Sequence, residues 1–303
     1  MRFVLATIFL LLSSSPLVAD ETPSGCFSSE WDKKALLDLK SQAFEISEQE
    51  ARDELALQLL ACLAEEDPAI RDGVAYEALT QWLRSESLAD DTIAVLHSRV
   101  ADQLASGKND SEGFLMPFNA LIFAEIVRVD RISPFLSDEQ FNVSVLIATE
   151  YVKSVSDYRG FDEKEGWRHG VAHGADILLQ LALNSRLNKS QADALLLAIA
   201  SQVVPDNNHF YIYGEPRRLA LPSLYVWLAG LHELQEWQTW LDEIVHPAPL
   251  DSWRQAYQSQ TGLSQLHNVR QYLMQLLALV EGSENEKITQ LKPSIINALK
   301  TVG

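Results

Sequence analysis

Residues 67–83 read DPAIRDGVAYEALTQWL, and this stretch decides the fold class. Asp67 stands directly before Pro68, which places a capping carboxylate ahead of a proline at the first helical position, where its missing N–H costs nothing. The apolar residues that follow recur at intervals of three and four, as they do on one face of an α-helix. The stretch therefore predicts a helix over residues 68–84 with one buried face.

The same spacing runs along almost the whole chain, and no segment alternates for long enough to predict a sheet. Capping residues, among them Ser47, Ser137 and Ser190, precede several of the segments. The predicted helices are mostly about 13 to 20 residues long and are joined by short connections. In a chain of 303 residues this pattern indicates stacked helical hairpins rather than one four-helix bundle. We predict helices at residues 30–42, 47–64, 68–84, 90–105, 114–128, 138–156, 164–183, 190–203, 216–244 (with a break near Pro222), 264–280 and 285–299.

The stretch at 67–83 also resembles the second helix of a HEAT-type repeat. Its Asp-Pro opening, Arg71 and the small or apolar residues of the following turns carry the resemblance. We predict an all-α fold of HEAT/ARM-like stacked helical hairpins, arranged as an α-solenoid or as a compact α/α arc. No linker rich in Gly, Ser or Pro divides the chain, so we expect one all-helical, repeat-like domain over residues 20–303.

The N-terminus has the pattern of a secretory leader. Arg2 is followed by an apolar run at residues 3–12 and by a small-residue cleavage site at residues 17–19. The run is about half of the ~20 residues that a bilayer span needs. We therefore predict a cleaved signal peptide at residues 1–19, no membrane span, and a secreted, periplasmic protein.

Cys26 and Cys62 are the two cysteines of the chain. In an oxidising compartment an isolated pair can form a disulfide, and we expect these two to do so. The alternative, one buried and one exposed free thiol, stays open at this point. A bridge would tie the N-terminal coil to the end of an early helix.

The chain carries a formal net charge of −18, with 42 acidic and 24 basic residues. Such a field repels phosphate backbones, so nucleic acid is not an expected partner. A protein, a peptide or a small molecule remains as the partner. Because 47% of the residues are hydrophobic, the chain can bury a substantial core.

The segment 158–183, YRGFDEKEGWRHGVAHGADILLQLAL, is the strongest candidate for a site. On the predicted helix, His169, His173 and Asp176 fall at i, i+4 and i+7 and share one side with Gln180. Three hypotheses follow: structural hydrogen bonds that tie helices together, metal-free acid–base chemistry, or a zinc site with His169, His173 and Asp176 as ligands. Gly174 lies beside this face and predicts a close approach by another helix or by a ligand.

A second cluster, NNHFYIYGEPRR at residues 207–218, mixes aromatic and polar side chains in a loop that enters a helix. Such loops suit ligand contact, although they can equally fill the gap between repeats. Together the two clusters define a candidate groove of Arg159, Trp167, His169, His173, Asp176, Gln180, His209, Tyr211, Glu215 and Arg218.

The runs at residues 159–161 (RGF), 166–169 (GWRH) and 172–176 (AHGAD) resemble a bacterial family of domains of unknown function. The resemblance implies an all-helical fold and no assigned reaction, so it assigns no role to any residue. Two functions from different classes remain. The first is a binding or scaffold protein with a polar groove around His169, His173 and Asp176. The alternative is a metal-dependent hydrolase with those three as ligands and Glu215 or Glu165 as base.

Overall fold

The computed structural model describes residues 25–205 and 208–303, so the predicted signal peptide lies outside the described residues. The described part is mostly helical, with a single hairpin of two-residue strands, which confirms the all-α prediction. Its helices are α1 (Lys33–Ser41), α2 (Gln49–Leu59), α3 (Pro68–Ile70), α4 (Glu77–Arg84), α5 (Asp90–Ser106), α6 (Leu115–Ile132), α7 (Asp138–Ser154), α8 (Gly170–Ala182), α9 (Lys189–Val203), α10 (Glu215–Leu228), α11 (Leu234–Ile244), α12 (Gln260–Glu281), α13 (Glu286–Thr289) and α14 (Lys292–Val302).

Three further short helical turns and one hairpin complete the described structure. Ala61–Ala64 and Trp253–Gln258 are 3₁₀ turns, and Arg71–Tyr76 is a π-helical turn that joins α3 to α4. The two strands β1 (Phe161–Asp162) and β2 (Gly166–Trp167) pair antiparallel between α7 and α8.

The helices form two stacked layers. In one layer α4, α6, α8, α10, α12 and α14 each contact the next, and in the other α5 contacts α7, which contacts α9. The layers are joined where α5 packs on α6, α7 on α8, and α9 on α10. This order of antiparallel hairpins is consistent with the predicted helical-repeat arrangement.

The core lies between the layers. Buried apolar side chains form one continuous cluster that runs from Cys26 to Val302. The peripheral helices, such as α5, contribute one apolar face, as the three- and four-residue spacing predicts, whereas the central helices α6 and α8 are buried on most sides. Burial of each large aliphatic or aromatic side chain stabilises the fold by roughly 1.5–3 kcal/mol before the entropy of ordering is counted.

The stretch that decides the fold class is helical over its predicted length. Asp67 caps it, since its Oδ1 accepts a hydrogen bond of 2.9 Å from the backbone N–H of Ala69. The sequence did not predict the π-helical turn at Arg71–Tyr76. Turns of this type are rare and often lie at functional sites, and here the turn carries the fully buried side chain of Arg71.

Several of the predicted helices are wrong in their bounds. The segment 285–299 is divided into α13 and α14 at residues 290–291, and the α-helix predicted at 47–64 ends at Leu59, before the 3₁₀ turn. The segment 164–183 is helical only from Gly170, because the preceding residues form the second strand of the hairpin and its exit. The segment 216–244 is divided in two at residues 229–233, where Gly230 has φ of 72°, whereas Pro222 lies inside α10. A left-handed glycine ends a helix more decisively than this proline interrupts one.

Cys26 and Cys62 form a disulfide bond, as predicted, and the alternative of two free thiols is wrong. The bond ties the N-terminal coil to the 3₁₀ turn that follows α2. Within the described ranges, the helices are too short or too polar for any of them to cross a membrane.

Candidate functional site

The β1–β2 hairpin precedes the predicted site residues on α8. Phe161 pairs with Trp167 and Asp162 with Gly166 across the two strands. The Asp162 carboxylate closes the turn by accepting hydrogen bonds of 2.8 Å and 3.0 Å from two backbone N–H groups of its own loop. Gly166 has φ of 76°, a conformation that residues with a Cβ rarely adopt. The turn hydrogen bonds and the positive φ of Gly166 therefore produce a hairpin where periodicity predicted the start of a helix at residue 164.

Two arginines anchor this hairpin to the helices. The guanidinium of Arg71 lies 3.8 Å from the Phe114 ring centroid and that of Arg168 lies 4.1 Å from it. Arg71 donates a 2.6 Å hydrogen bond to the backbone carbonyl of Glu165 in the hairpin, and Arg168 donates to that of Glu112. The hairpin is thus held by buried cations on an aromatic ring.

The prediction that His169 lies on the helix is wrong. It occupies the N-cap position just before α8, with φ of 57°. Its ring stacks on Trp167 with 4.8 Å between centroids. Its Nε2 is buried without a hydrogen-bond partner and lies 3.7 Å from Oε1 of Glu215. A left-handed non-glycine residue and a buried unpaired nitrogen both cost free energy, and such features cluster at functional sites.

His173 lies one turn into α8, with its ring centroid 5.8 Å from that of His169. Its Nδ1 lies 3.0 Å from the Pro117 carbonyl oxygen. A carbonyl only accepts, so Nδ1 carries the proton in that bond. Burial lowers the pKa of His173 to about 3 and that of His169 to about 4. Both rings are therefore neutral at neutral pH.

The carboxylates beside the histidines differ in burial, since Glu215 is 2% exposed whereas the Asp176 side chain is 20% exposed. Asp176 accepts a 2.8 Å hydrogen bond from Arg218, yet burial raises its pKa to about 6. Burial likewise raises the pKa of Glu215, whose Oε2 accepts a 2.9 Å bond from the Tyr213 backbone. Gln180 lies further along α8 and accepts from Arg131 of α6. We name His169, His173, Asp176, Glu215 and Arg218 the polar cluster.

Two further groove residues, Arg159 and His209, line a cavity of about 480 Å³ against the hairpin, which we name the hairpin cavity. Exposed apolar surface lies here: Phe161 and Ile212 line the cavity and are 45% and 70% exposed, and Trp167, which packs on Phe161, is 37% exposed. The cavity is lined by Ser156, Tyr158, Arg159, Gly160, Phe161, Asp162, Glu165, Arg168, His209, Ile212 and Tyr213.

Tyr213 joins the hairpin cavity to the polar cluster. Its ring lies 5.8 Å from Trp167 and 6.5 Å from His169, centroid to centroid. A Cβ on Gly160 would overlap the Tyr213 ring, so glycine is required for this close approach. Phe161, Ile212 and Tyr213 are not among the groove residues predicted from the sequence. The aromatic run at residues 207–218 was the available signal for Ile212 and Tyr213, and the run at 159–161 for Phe161.

Other predicted groove residues have different places. Tyr211 is buried in the core, where its N–H donates to Asn268 and its hydroxyl to Gln202. Its hydrogen bonds tie the 208–214 loop to neighbouring helices. His209 does line the hairpin cavity and stacks on Tyr158 at 5.2 Å. Gly174 packs against Val152 of α7, so a helix is the neighbour there.

The zinc hypothesis gains no support from the geometry. Within residues 25–205 and 208–303, no group of three or more His, Cys, Asp or Glu side chains is placed to hold a metal ion. Asp176 is paired with Arg218, and His173 Nδ1 is bonded to Pro117. The assignment of His169, His173 and Asp176 as ligands stays a prediction of the sequence.

The buried histidines predict a defined pH dependence. A histidine whose pKa is depressed on folding contributes stability above its unfolded pKa of ~6.5 and loses it as pH falls. His173→Asn keeps a donor for Pro117 but does not titrate. As the pH is lowered from about 6 to about 4, we expect the free energy of unfolding of His173→Asn to fall less steeply than that of the wild type. The two slopes should differ by about 1.4 kcal/mol per pH unit.

Urea denaturation at a series of pH values measures this difference. His246→Asn, which replaces a histidine that is exposed on the surface, serves as control and should keep the wild-type slope. Parallel curves for His173→Asn and the wild type would contradict the buried, neutral state of His173.

One family model matches the chain over residues 101–278, and its description is "Protein of unknown function (DUF2785)". The match spans more than half of the chain. The chain belongs to this family. The DUF2785 segment includes the hairpin, α8 and α10, and therefore the whole candidate groove. It leaves out Arg71 and both cysteines. No curated protein and no solved structure matches the chain.

Proposed function

We propose that the chain is an exported helical-repeat binding protein, organised as one domain, with its ligand site at the hairpin cavity and the adjoining polar cluster. Export is supported by the leader pattern and by the disulfide, which suits an oxidising compartment. One domain is supported by the continuous core.

The observation that carries the binding role is the exposed aromatic surface around the hairpin cavity. Phe161 and Trp167 pack on each other, with ring centroids 5.1 Å apart, and remain 45% and 37% exposed beside a cavity of about 480 Å³. That volume lies within the range of about 300–1,000 Å³ found for small-molecule sites. Exposed apolar clusters rimmed by polar groups mark binding surfaces.

The site is also preorganised. Hairpin pairing, the arginine anchors and the close approach of Tyr213 to Gly160 hold the aromatic rings before any ligand arrives. A ligand therefore meets a formed surface, and less of its binding free energy is spent on ordering side chains.

Thermal unfolding in the presence of chemically sorted probes tests the binding role. We expect at least one class among neutral oligosaccharides, short peptides, amines and carboxylates to raise the melting temperature, because a ligand at about 100 times its Kd adds ~2.7 kcal/mol. Gly160→Ala, which displaces Tyr213, should abolish the shift. Gly25→Ala, where a Cβ meets nothing within 4 Å, should retain it.

Circular dichroism establishes first that Gly160→Ala is folded. If no probe class shifts the melting temperature, or if folded Gly160→Ala responds like the wild type, the binding site is not at the hairpin cavity.

The metal-dependent hydrolase remains the alternative from a different class. Zinc content of untagged protein, compared with a His169→Ala/His173→Ala double variant, separates the two functions. Stoichiometric zinc that is lost in a folded double variant would favour the hydrolase over the binding role.

A further inference from the structure

The charges that line the hairpin cavity are balanced. Arg159 and Arg168 stand against Asp162 and Glu165. Each is already engaged: Arg159 pairs with Asp157 at 2.5 Å, Arg168 pairs with Glu165 at 2.9 Å, and Asp162 accepts two backbone N–H groups. A cationic or an anionic ligand therefore gains no net attraction from the lining, although the whole chain is strongly acidic.

The apolar part of the site consists of rings set at angles to each other. Phe161 and Trp167 face each other across the hairpin with centroids 5.1 Å apart and an angle of 53° between their planes. Tyr213 stands at 82° to Trp167. Because His169 stacks against Trp167 while the indole stays 37% exposed, the ring is held in place and still reaches solvent.

We propose that this site binds a neutral oligosaccharide. The inference rests on the proposed binding function and names its ligand class. A pyranose ring has an apolar C–H face that packs on an aromatic ring, and its hydroxyls both donate and accept hydrogen bonds. The hydroxyls can therefore join the paired arginines and carboxylates at the rim without leaving a buried charge unpaired.

Two other ligand classes fit these observations less well. A quaternary ammonium needs an aromatic cage without competing cations, whereas two arginines line this cavity. An extended peptide needs an unpaired strand edge or a series of side-chain pockets, whereas each strand here is two residues long. A ligand with apolar faces and neutral hydroxyl edges is the best match.

Isothermal titration calorimetry of the full chain, with cellohexaose, maltohexaose and chitohexaose as separate probes, tests the inference. We expect at least one of them to bind, and Trp167→Ala to weaken that binding about tenfold, since aromatic contacts supply roughly this factor. Leu146→Ala removes a side chain that is 59% exposed on α7 and should bind like the wild type.

Tetramethylammonium and hexa-alanine, titrated in the same way, distinguish a failure of the saccharide ligand class from a failure of the binding function. If either binds in a Trp167-dependent manner while all three saccharides fail, the ligand class is wrong and the binding function stands. If none of the five probes binds, the saccharide inference is overturned, and the binding function is contradicted as well when the carboxylate probes also fail to raise the melting temperature. Saccharide binding that is unchanged in Trp167→Ala places the sugar elsewhere and also overturns the inference.

Discussion

Arg71→Ala is expected to lower the free energy of unfolding by about 3–5 kcal/mol, the range found when one member of a buried charged network is removed. The Arg71 side chain is fully buried. It donates hydrogen bonds to the Asp72 carboxylate and to the backbone carbonyls of Glu65, Glu66 and Glu165. Alanine leaves those acceptors unpaired and opens a cavity against Phe114.

Guanidinium denaturation measures the loss. Arg159→Ala is the matched control, because that arginine also pairs with a nearby carboxylate but its side chain is 53% exposed, so we expect a change of only about 0–1 kcal/mol. Arg71→Lys should fall between the two, since it keeps the charge without the planar fork. Equal losses for Arg71→Ala and Arg159→Ala would show that Arg71 does not anchor the fold.

Reduction of the Cys26–Cys62 disulfide is expected to lower the free energy of unfolding by about 3–4 kcal/mol. The two residues are 36 positions apart in sequence. By closing this loop, the bond lowers the conformational entropy of the unfolded chain and so stabilises the folded one. Both sulfurs belong to buried residues, 4% and 0% exposed. Denaturation midpoints with and without dithiothreitol measure the effect.

The Cys26→Ala/Cys62→Ala double variant is the control for the reductant. It should start at the lower stability and show no response to dithiothreitol. A wild-type midpoint that does not move on complete reduction would mean that the loop is ordered equally well without the bond.

Arg71 and the disulfide lie outside the DUF2785 segment, yet Arg71 contacts the site within it. Arg71 reaches from the π-helical turn to the carbonyl of Glu165, and so it holds the hairpin that carries Trp167. We therefore expect Arg71→Ala to weaken ligand binding as well as stability. Arg71, which precedes the matched residues 101–278, therefore helps to hold the hairpin within them.

Much of the candidate groove could be predicted from residue types, but its geometry could not. The sequence predicts His169, His173 and Asp176 as site residues because short polar side chains recur there on one face of a helical pattern. The structure keeps His173 and Asp176 on α8 and moves His169 to the helix cap. A periodic pattern cannot reveal a hairpin whose strands are two residues long. The hairpin forms because of the hydrogen bonds in its turn and the positive φ of Gly166.

Tyr213 shows a second limit. From the sequence it is one aromatic residue in a mixed loop, with nothing to separate it from Tyr211. The structure buries Tyr211 in the core and places Tyr213 over Gly160 at the site. The two residues differ in their long-range partners, and no local pattern contains those.

Helix periodicity, capping and cysteine count are local or compositional properties, so the all-helical class, the helical-hairpin arrangement and the cysteine pair could be predicted from them. The set of residues that meet at the hairpin cavity could not, because the partners lie far apart along the chain: Arg71 bonds to a residue 94 positions away, and Arg218 bonds to Asp176 across 42. Such contacts form when whole helices pack, and burial then sets the protonation of the groups that they enclose.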